Sequence, residues 1–372
     1  MKDITRLIRH KISAQDAKPV STPIFQTSAF KSGDPYFYTR KSNPNFVEVE
    51  ELLNELEGGK KAVLLSSGMT AISAALHLLS PGDSLLVNKL IYGCSYRFFN
   101  DFCNQFDISV DFVDLLTSDG VSKLDDGPDM VFFETPTNPF LKTINIEEIS
   151  QRVKRANPKS LVVVDNTWAT SLFQKPLKLG ADISLHSNSK FNGGHSDLIS
   201  GLAITNNSEL GERIAAYRFY NGCLPDPFSA WLLRRGLQTL GVRLERQIKS
   251  TSIIADYLRK NPMVDEVFFP KIDGKQLTNY GGLIFFHLHV KSFDAVKTFM
   301  SELELFDEGT SMASVTSAVA NPWNGSHLSM NEDEKKSIGL DEFVIRLSFG
   351  LEDVDDLIDD IDRAFLCAES VN

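Results

Sequence analysis

Apolar positions along this 372-residue chain recur with two different periods, and the points where one gives way to the other mark out its elements. Residues 1–45 show little periodicity. Prolines and polar residues run through them to Tyr36-Phe-Tyr-Thr-Arg-Lys-Ser-Asn-Pro44, which predicts an extended arm packed on something else, such as another subunit. From residue 46 to 57, Val47, Leu52, Leu53 and Leu56 suit an amphipathic helix, and Gly58-Gly59 stops it. Residues 62–65 predict a short buried strand, Ser66-Ser67-Gly68-Met69 a turn, and the Ala-, Ile- and Leu-rich run to Leu79 a helix. Further apolar runs at 84–87, 110–113, 130–133, 161–164, 183–185 and 198–204 have helical segments between them. Near-continuous Val, Leu and Phe predict strands buried on both faces, as in a mainly parallel α/β sheet. After a helical stretch over 228–257 the pattern changes. Strands are predicted at 264–269, 282–289 and 344–348, helices at 293–303 and 353–368, and a loop over 307–327. The chain thus divides into an arm (1–45), a large α/β domain (46–240) and a smaller α+β domain (241–372).

Composition narrows the function classes. Hydrophobic content of 42% and charged content of 23% are those of an ordinary globular protein. The formal charge is 38 − 49 = −11, without a basic block or stripe, which argues against nucleic acid or an anionic membrane as partner. No apolar run approaches membrane-spanning length, and the first residues lack the continuous apolar core of a secretory signal. Cys94, Cys103, Cys223 and Cys367 lie far apart and show no pairing with histidine. Neither a disulfide framework nor a metal site is expected, and a reducing cytoplasm is the expected compartment.

Candidate chemistry gathers where the predicted strands end, which is where α/β sheets bind ligands. The stretch from Asp182 to Asp197 passes from an apolar run into a hydroxyl-rich turn, Ser187 and Ser189, carrying Lys190. A lysine at such a junction can be desolvated and used as an amine nucleophile. Asp165 ends Leu-Val-Val-Val, where a carboxylate is costly unless it meets a cation or strong donor. The Ser66–Met69 turn places free backbone amides at a helix N-terminus, a ready anion site. Tyr92 and Glu134-Thr-Pro-Thr-Asn138 follow two other strands. A lysine amine, a buried carboxylate, an anion-binding turn and an aromatic ring are the parts that a pyridoxal phosphate site requires. A nicotinamide dehydrogenase is disfavoured, because no GxGxxG turn follows the first strand.

These residues also resemble a known family. Tyr38-Thr-Arg40-Lys-Ser-Asn-Pro44, Ser66-Ser-Gly-Met-Thr-Ala-Ile72, Tyr92-Gly-Cys-Ser-Tyr-Arg97, Glu134-Thr-Pro-Thr-Asn-Pro139, Val164-Asp-Asn-Thr167, His186-Ser-Asn-Ser-Lys190, Gly194-His-Ser-Asp197 and Ile345-Arg-Leu-Ser348 are similar to the Cys/Met-metabolism pyridoxal phosphate enzymes. That family includes cystathionine γ-synthase, cystathionine γ- and β-lyases and methionine γ-lyase. The resemblance implies fold type I, with a mainly parallel seven-stranded sheet and a smaller C-terminal α+β domain. It implies that Lys190 is the Schiff-base lysine and the acid/base, and that Asp165 pairs with the ring nitrogen. Tyr92 would stack on the ring and could take part in proton transfer. The phosphate would be bound by Ser67, Gly68, Met69, Ser187 and Ser189, with Asn138 and Thr167 lining the cofactor. Tyr38 and Arg40 would reach the phosphate of a neighbouring subunit, implying at least a dimer and usually a tetramer. For the substrate, it implies Arg346 and Ser311 at the α-carboxylate and Arg97 at the distal end.

The expected activity is γ-elimination or γ-replacement on an L-amino acid, such as cystathionine, an activated homoserine or another γ-substituted amino acid. A cystathionine β-lyase is the alternative within the class, and a catalytically silent pyridoxal phosphate-binding homologue the alternative outside it. Ser311-Met-Ala-Ser-Val-Thr-Ser317 departs from the family's usual Ser-Leu-Gly-Gly-x-Glu-Ser. Thr316 stands where γ-acting members carry glutamate and β-lyases tyrosine, which makes it a candidate substrate-facing residue.

Overall fold

The computed structural model describes residues 18–309 and 312–371. Seven strands form the first sheet: β1 (Lys61–Leu65), β2 (Ser84–Asn88), β3 (Ser109–Val113), β4 (Met130–Glu134), β5 (Leu161–Asp165), β6 (Ile183–Ser187) and β7 (Gly201–Thr205). Their order is β1-β7-β6-β5-β4-β2-β3. Strands β3, β2, β4, β5 and β6 run parallel, and β7 is antiparallel to β6 and β1. This is the mainly parallel seven-stranded sheet that the resemblance implies. Its strands read as continuous apolar runs because both faces are covered. Val63, Phe132, Val163 and Leu185 pack toward the Gly68–Leu76 helix, and Leu86, Val131, Phe133 and Val164 toward Ile149 and Val153 of the Ile146–Ala156 helix.

The helix Leu240–Leu258 leads to a second sheet of β8 (Val264–Phe268), β9 (Leu283–Leu288), β10 (Phe306–Glu308), β11 (Ser317–Ala320) and β12 (Val344–Ser348), ordered β10-β11-β12-β9-β8. Its apolar face packs on the helices Phe293–Ser301 and Val354–Ser370 through Phe286, Phe299, Ile345, Leu347 and Phe365. Strand β11 lies inside the stretch predicted to be loop, and β10 overlaps its start. Strand β11 is only Ser-Ala-Val-Ala; it is a strand because Ala318 and Val319 pair with Ser348 and Leu347 of β12, a partner that local periodicity does not reveal. The helical stretch over 228–257 is two helices, Pro227–Leu237 and Leu240–Leu258.

The arm, where described, is extended, with one antiparallel bridge between Ala29 and Tyr38. It is fastened by side chains. Asn45 Oδ1 accepts from the Phe25 amide, Asn43 Nδ2 donates to the Phe25 carbonyl, and Trp231 Nε1 donates to the Thr22 carbonyl. Phe25, Phe37 and Tyr38 remain exposed on it, Phe37 by 76%. No helix of the described residues is long and apolar enough to cross a membrane.

Candidate active site

A cavity of ≈ 330 Å³ opens where β4, β5 and β6 end and the Gly68–Leu76 and Gly93–Gln105 helices begin. Ser67, Gly68, Met69, Tyr92, Asn138, Asp165, Thr167, Ser187, Ser189 and Lys190 all line it. These are the ten residues that the family resemblance assigns to one cofactor site.

Each is placed by local physics. Ser67 caps its helix, its Oγ accepting from the Thr70 amide. Gly68 lies so close to Ser187 that a Cβ there would stand 2.8 Å from the serine's Cβ, so the two phosphate-type turns are in contact only because the residue is glycine. Asp165 Oδ1 accepts the Thr167 amide at 2.9 Å, and Thr167 Oγ1 accepts the Ser187 amide at 2.8 Å, which joins the ends of β5 and β6. Beside Asp165, in register on β4, Glu134 accepts the Tyr92 amide at 2.7 Å and so fixes the start of the Gly93–Gln105 helix.

The electrostatics follow from burial. Desolvation pushes both the Glu134 and Asp165 carboxyls up, and Asp165's charge pushes Glu134 further. The pair therefore favours holding one proton unless a cation enters the cavity. Lys190 is lowered to about 8, first by burial and then by the charge of Arg346. No ion pair joins it to a carboxylate among the described residues, and with a value near 8 a fraction is unprotonated near neutral pH. Burial lowers Arg346 to about 10, which leaves it cationic at neutral pH. It projects from β12 and is 1% exposed; its charge is felt by Lys190, Tyr92 and Tyr280.

Other expected residues lie elsewhere. Arg97 does not face the cavity. It sits on the outer side of its helix, two-thirds exposed, and pairs with Asp101 one turn on. Thr316 is also outside it and solvent-exposed, because the turn into β11 points it away; Met312 of the same loop lines the wall instead. Ser311 lies outside the described residues. Tyr38 and Arg40 lie away from their own chain's cavity, where the Arg40 guanidinium rests 4.6 Å from the Phe219 ring centroid. The sequence reading did not single out Glu134, Ser95, Trp168, Met312, Gly325 or Ser326 as site residues, yet all line the cavity. Glu134 and Trp168 adjoin strand ends already flagged, a usable signal; Met312 and Ser326 come from the second domain and carry none.

The segment after β11 reaches the cavity through Gly325 and Ser326. Gly325 and Ser326 line the wall, and the Ser326 carbonyl lies 2.6 Å from where a Cβ on Gly93 would stand. Behind them His327 is buried and lowered to about 4 by desolvation, so it is neutral. Its Nε2 donates to the Ile91 carbonyl at 3.2 Å, and the Ser326 hydroxyl lies 3.0 Å from its Nδ1.

Comparison with known proteins agrees with this geometry. The model of the Cys/Met metabolism PLP-dependent enzyme family matches residues 4–366. A cystathionine beta-lyase of Lactococcus lactis subsp. cremoris is 36% identical, over 97% of this chain and 98% of its own length. A cystathionine gamma-lyase of Bacillus subtilis is 35% identical, over 98% and 99%. The crystal structure of cystathionine gamma synthase from Xanthomonas oryzae pv. oryzae in complex with cystathionine superposes with a TM-score of 0.91 at 33% identity, covering 95% of this chain and 94% of that one. The chain belongs to the Cys/Met metabolism family of pyridoxal phosphate-dependent enzymes. Pyridoxal phosphate is its cofactor and an amino acid its substrate. The lining fits that cofactor: it offers an amine without a carboxylate partner, two crowded carboxyls that a cation would relieve, and a buried acceptor, Asn138 Oδ1, with no hydrogen-bond partner in the protein.

Proposed function

We propose that this member of the family carries out γ-elimination or γ-replacement on a γ-substituted L-amino acid. The observation that carries the reading is the cavity itself, in which the weakly basic Lys190 amine, the Asp165 carboxyl and the field of Arg346 converge. When bound, pyridoxal phosphate supplies an electron sink through its protonated ring nitrogen. Asp165 would hold that proton at the ring, and Ser67, Gly68, Met69, Ser187 and Ser189 would hold the phosphate. Tyr92, Asn138 and Thr167, which line the same cavity, would hold the ring. Arg346 grips the substrate α-carboxylate, for which a guanidinium fork is suited. Lys190 Nζ would hold the cofactor, and an amine near pKa 8 is suited to taking the proton from the substrate Cα and returning it further along the substrate.

Tyr38 and Arg40 serve the phosphate of a second copy, so the working unit is a dimer, with a tetramer of two such dimers as the larger assembly. Four free cysteines suit a cytoplasmic setting.

Incubating the holoenzyme with cystathionine and separating the 2-oxo acids tests the reading. Release of 2-oxobutanoate with cysteine and ammonia supports γ-elimination. Pyruvate alone would establish the β-lyase instead, and a new thioether formed from an activated homoserine and a thiol would mark γ-replacement. An enzyme whose cofactor absorption shifts with no amino acid offered would be a silent homologue.

A further inference from the structure

Beneath the cavity, on the opposite face of the sheet, lies a buried ionisable pair that no step above uses. Glu57, the last residue of the Pro44–Glu57 helix, is 0% exposed, and His186 on β6 is 1% exposed. The Glu57 Oε2 and His186 Nε2 atoms are 3.6 Å apart. Glu57 Oε1 accepts from Ser184 Oγ and, at 3.4 Å, from Asn166 Nδ2. A carboxylate so deeply buried is strongly unfavourable without partners. Burial pushes Glu57 up, but the hydrogen bonds and charge of His186 outweigh it, and the net result is a lowered carboxyl.

The position of this pair is what gives it a function. Leu185, next to His186, is the register partner of Asp165, and Asn166, next to Asp165, bonds to Glu57. The imidazole therefore lies across the thickness of the sheet from Asp165, where a positive charge on it would favour the ionised aspartate. Asn166 also bonds to Gln174, whose Nε2 donates to the Thr135 carbonyl, one residue beyond Glu134. The network thus grips the ends of β4, β5 and β6 from behind. Glu57 on the helix, Asp165 on β5 and Ser184 on β6 are the charged and polar groups that act on this imidazole, and Ser171 bonds to Glu57 beside it; in register on β7 is Leu202.

We propose that Glu57 and His186 are positioning residues that back Asp165 electrostatically, so that Asp165 rather than Glu134 carries the site's negative charge and the cofactor's ring nitrogen stays protonated. The inference rests on the assignment of Asp165 to that nitrogen.

Three variants separate this from a merely structural role. Glu57→Gln strands one member of a buried pair and should lower the melting temperature. The double variant Glu57→Gln/His186→Gln removes both charges and should regain that loss. If the pair backs Asp165, the double variant still loses the proton of 15N-labelled cofactor at a pH about one unit lower, a tenfold change in the proton equilibrium, and kcat falls with KM within about twofold. A double variant that regains stability, kcat and the wild-type ring-nitrogen profile together overturns the proposal. Asp165→Asn serves as the control. A profile moved by it but not by the double variant overturns the backing alone; a profile moved by neither overturns the Asp165 assignment and the backing with it. In the wild-type chain, by reciprocity, loading with pyridoxal phosphate should raise the doubly protonated fraction of His186 in histidine NMR. An unchanged His186 signal on loading overturns the proposal even if no variant folds.

Discussion

Lys190 shows how an unusual amine is made from an ordinary one by its surroundings. Withdrawal from water lowers its ammonium from an ordinary 10.5 to about 8, a penalty on the charged form of about 3 kcal/mol. Lys190→Met should therefore abolish activity yet stabilise the cofactor-free protein at neutral pH by about 2–3 kcal/mol, read as a higher melting temperature. The sign follows from proton counting. Between pH 8 and 10.5 the unfolded wild type holds more protons than the folded one, so wild-type stability rises over that window and the variant's advantage fades. An advantage independent of pH would contradict the burial account. Arg346, fully buried on β12, should tolerate lysine badly: Arg346→Lys keeps the charge but loses the planar fork, and KM for the amino acid should rise about 10–100-fold. Much of this was legible in the sequence, because a polar residue ending an apolar strand has only the cavity to face. Arg97 and Thr316 were not, since likeness to a family places a residue along the chain and not in a rotamer. Arg97 turns to Asp101 on its own helix.

At the scale of elements, strands betray themselves when they bury both faces and hide when they are short. Strands β2, β4 and β5 were readable from Leu, Val and Phe runs; β10 and β11 were not, because their strand character lies in their partners. The same dependence on neighbours appears at the β8–β9 edge. There His287 on β9 is held between Asp341 at 3.0 Å and Asp265 at 2.9 Å, while His289 shares Asp265. The Asp341 hydrogen bond, against a smaller opposing effect of burial, and then the charges of both aspartates raise the His287 imidazole above its ordinary 6.5. A raised folded value means that the stabilisation is complete below 6.5 and is lost as pH climbs through the folded value. His287→Gln should thus be less stable than wild type at pH 5.5 and approach it in mildly alkaline solution. Melting curves across that range would show it; parallel curves for the two proteins would contradict it.

On the scale of the whole molecule, the arm is the part whose purpose a single chain does not explain. Its Tyr38 and Arg40 stand apart from their own cavity, and Phe25 and Phe37 face outward. If each cavity borrows them from a partner, Lys190→Ala and Arg40→Ala are each impaired alone, but co-refolded mixtures contain hybrid dimers with one intact cavity. Activity should then recover to about a quarter of wild type, and no recovery would rule out shared sites. Within one chain, Gly325 and Ser326 line the cavity, and next to them His327 bonds to the Ile91 carbonyl, one residue before Tyr92. That bond behaves as a crankpin: any displacement of residues 325–327 from the first sheet would have to break it or carry the start of the Gly93–Gln105 helix along. A substitution that weakens it would then disturb the Tyr92 side of the cavity without touching the cavity.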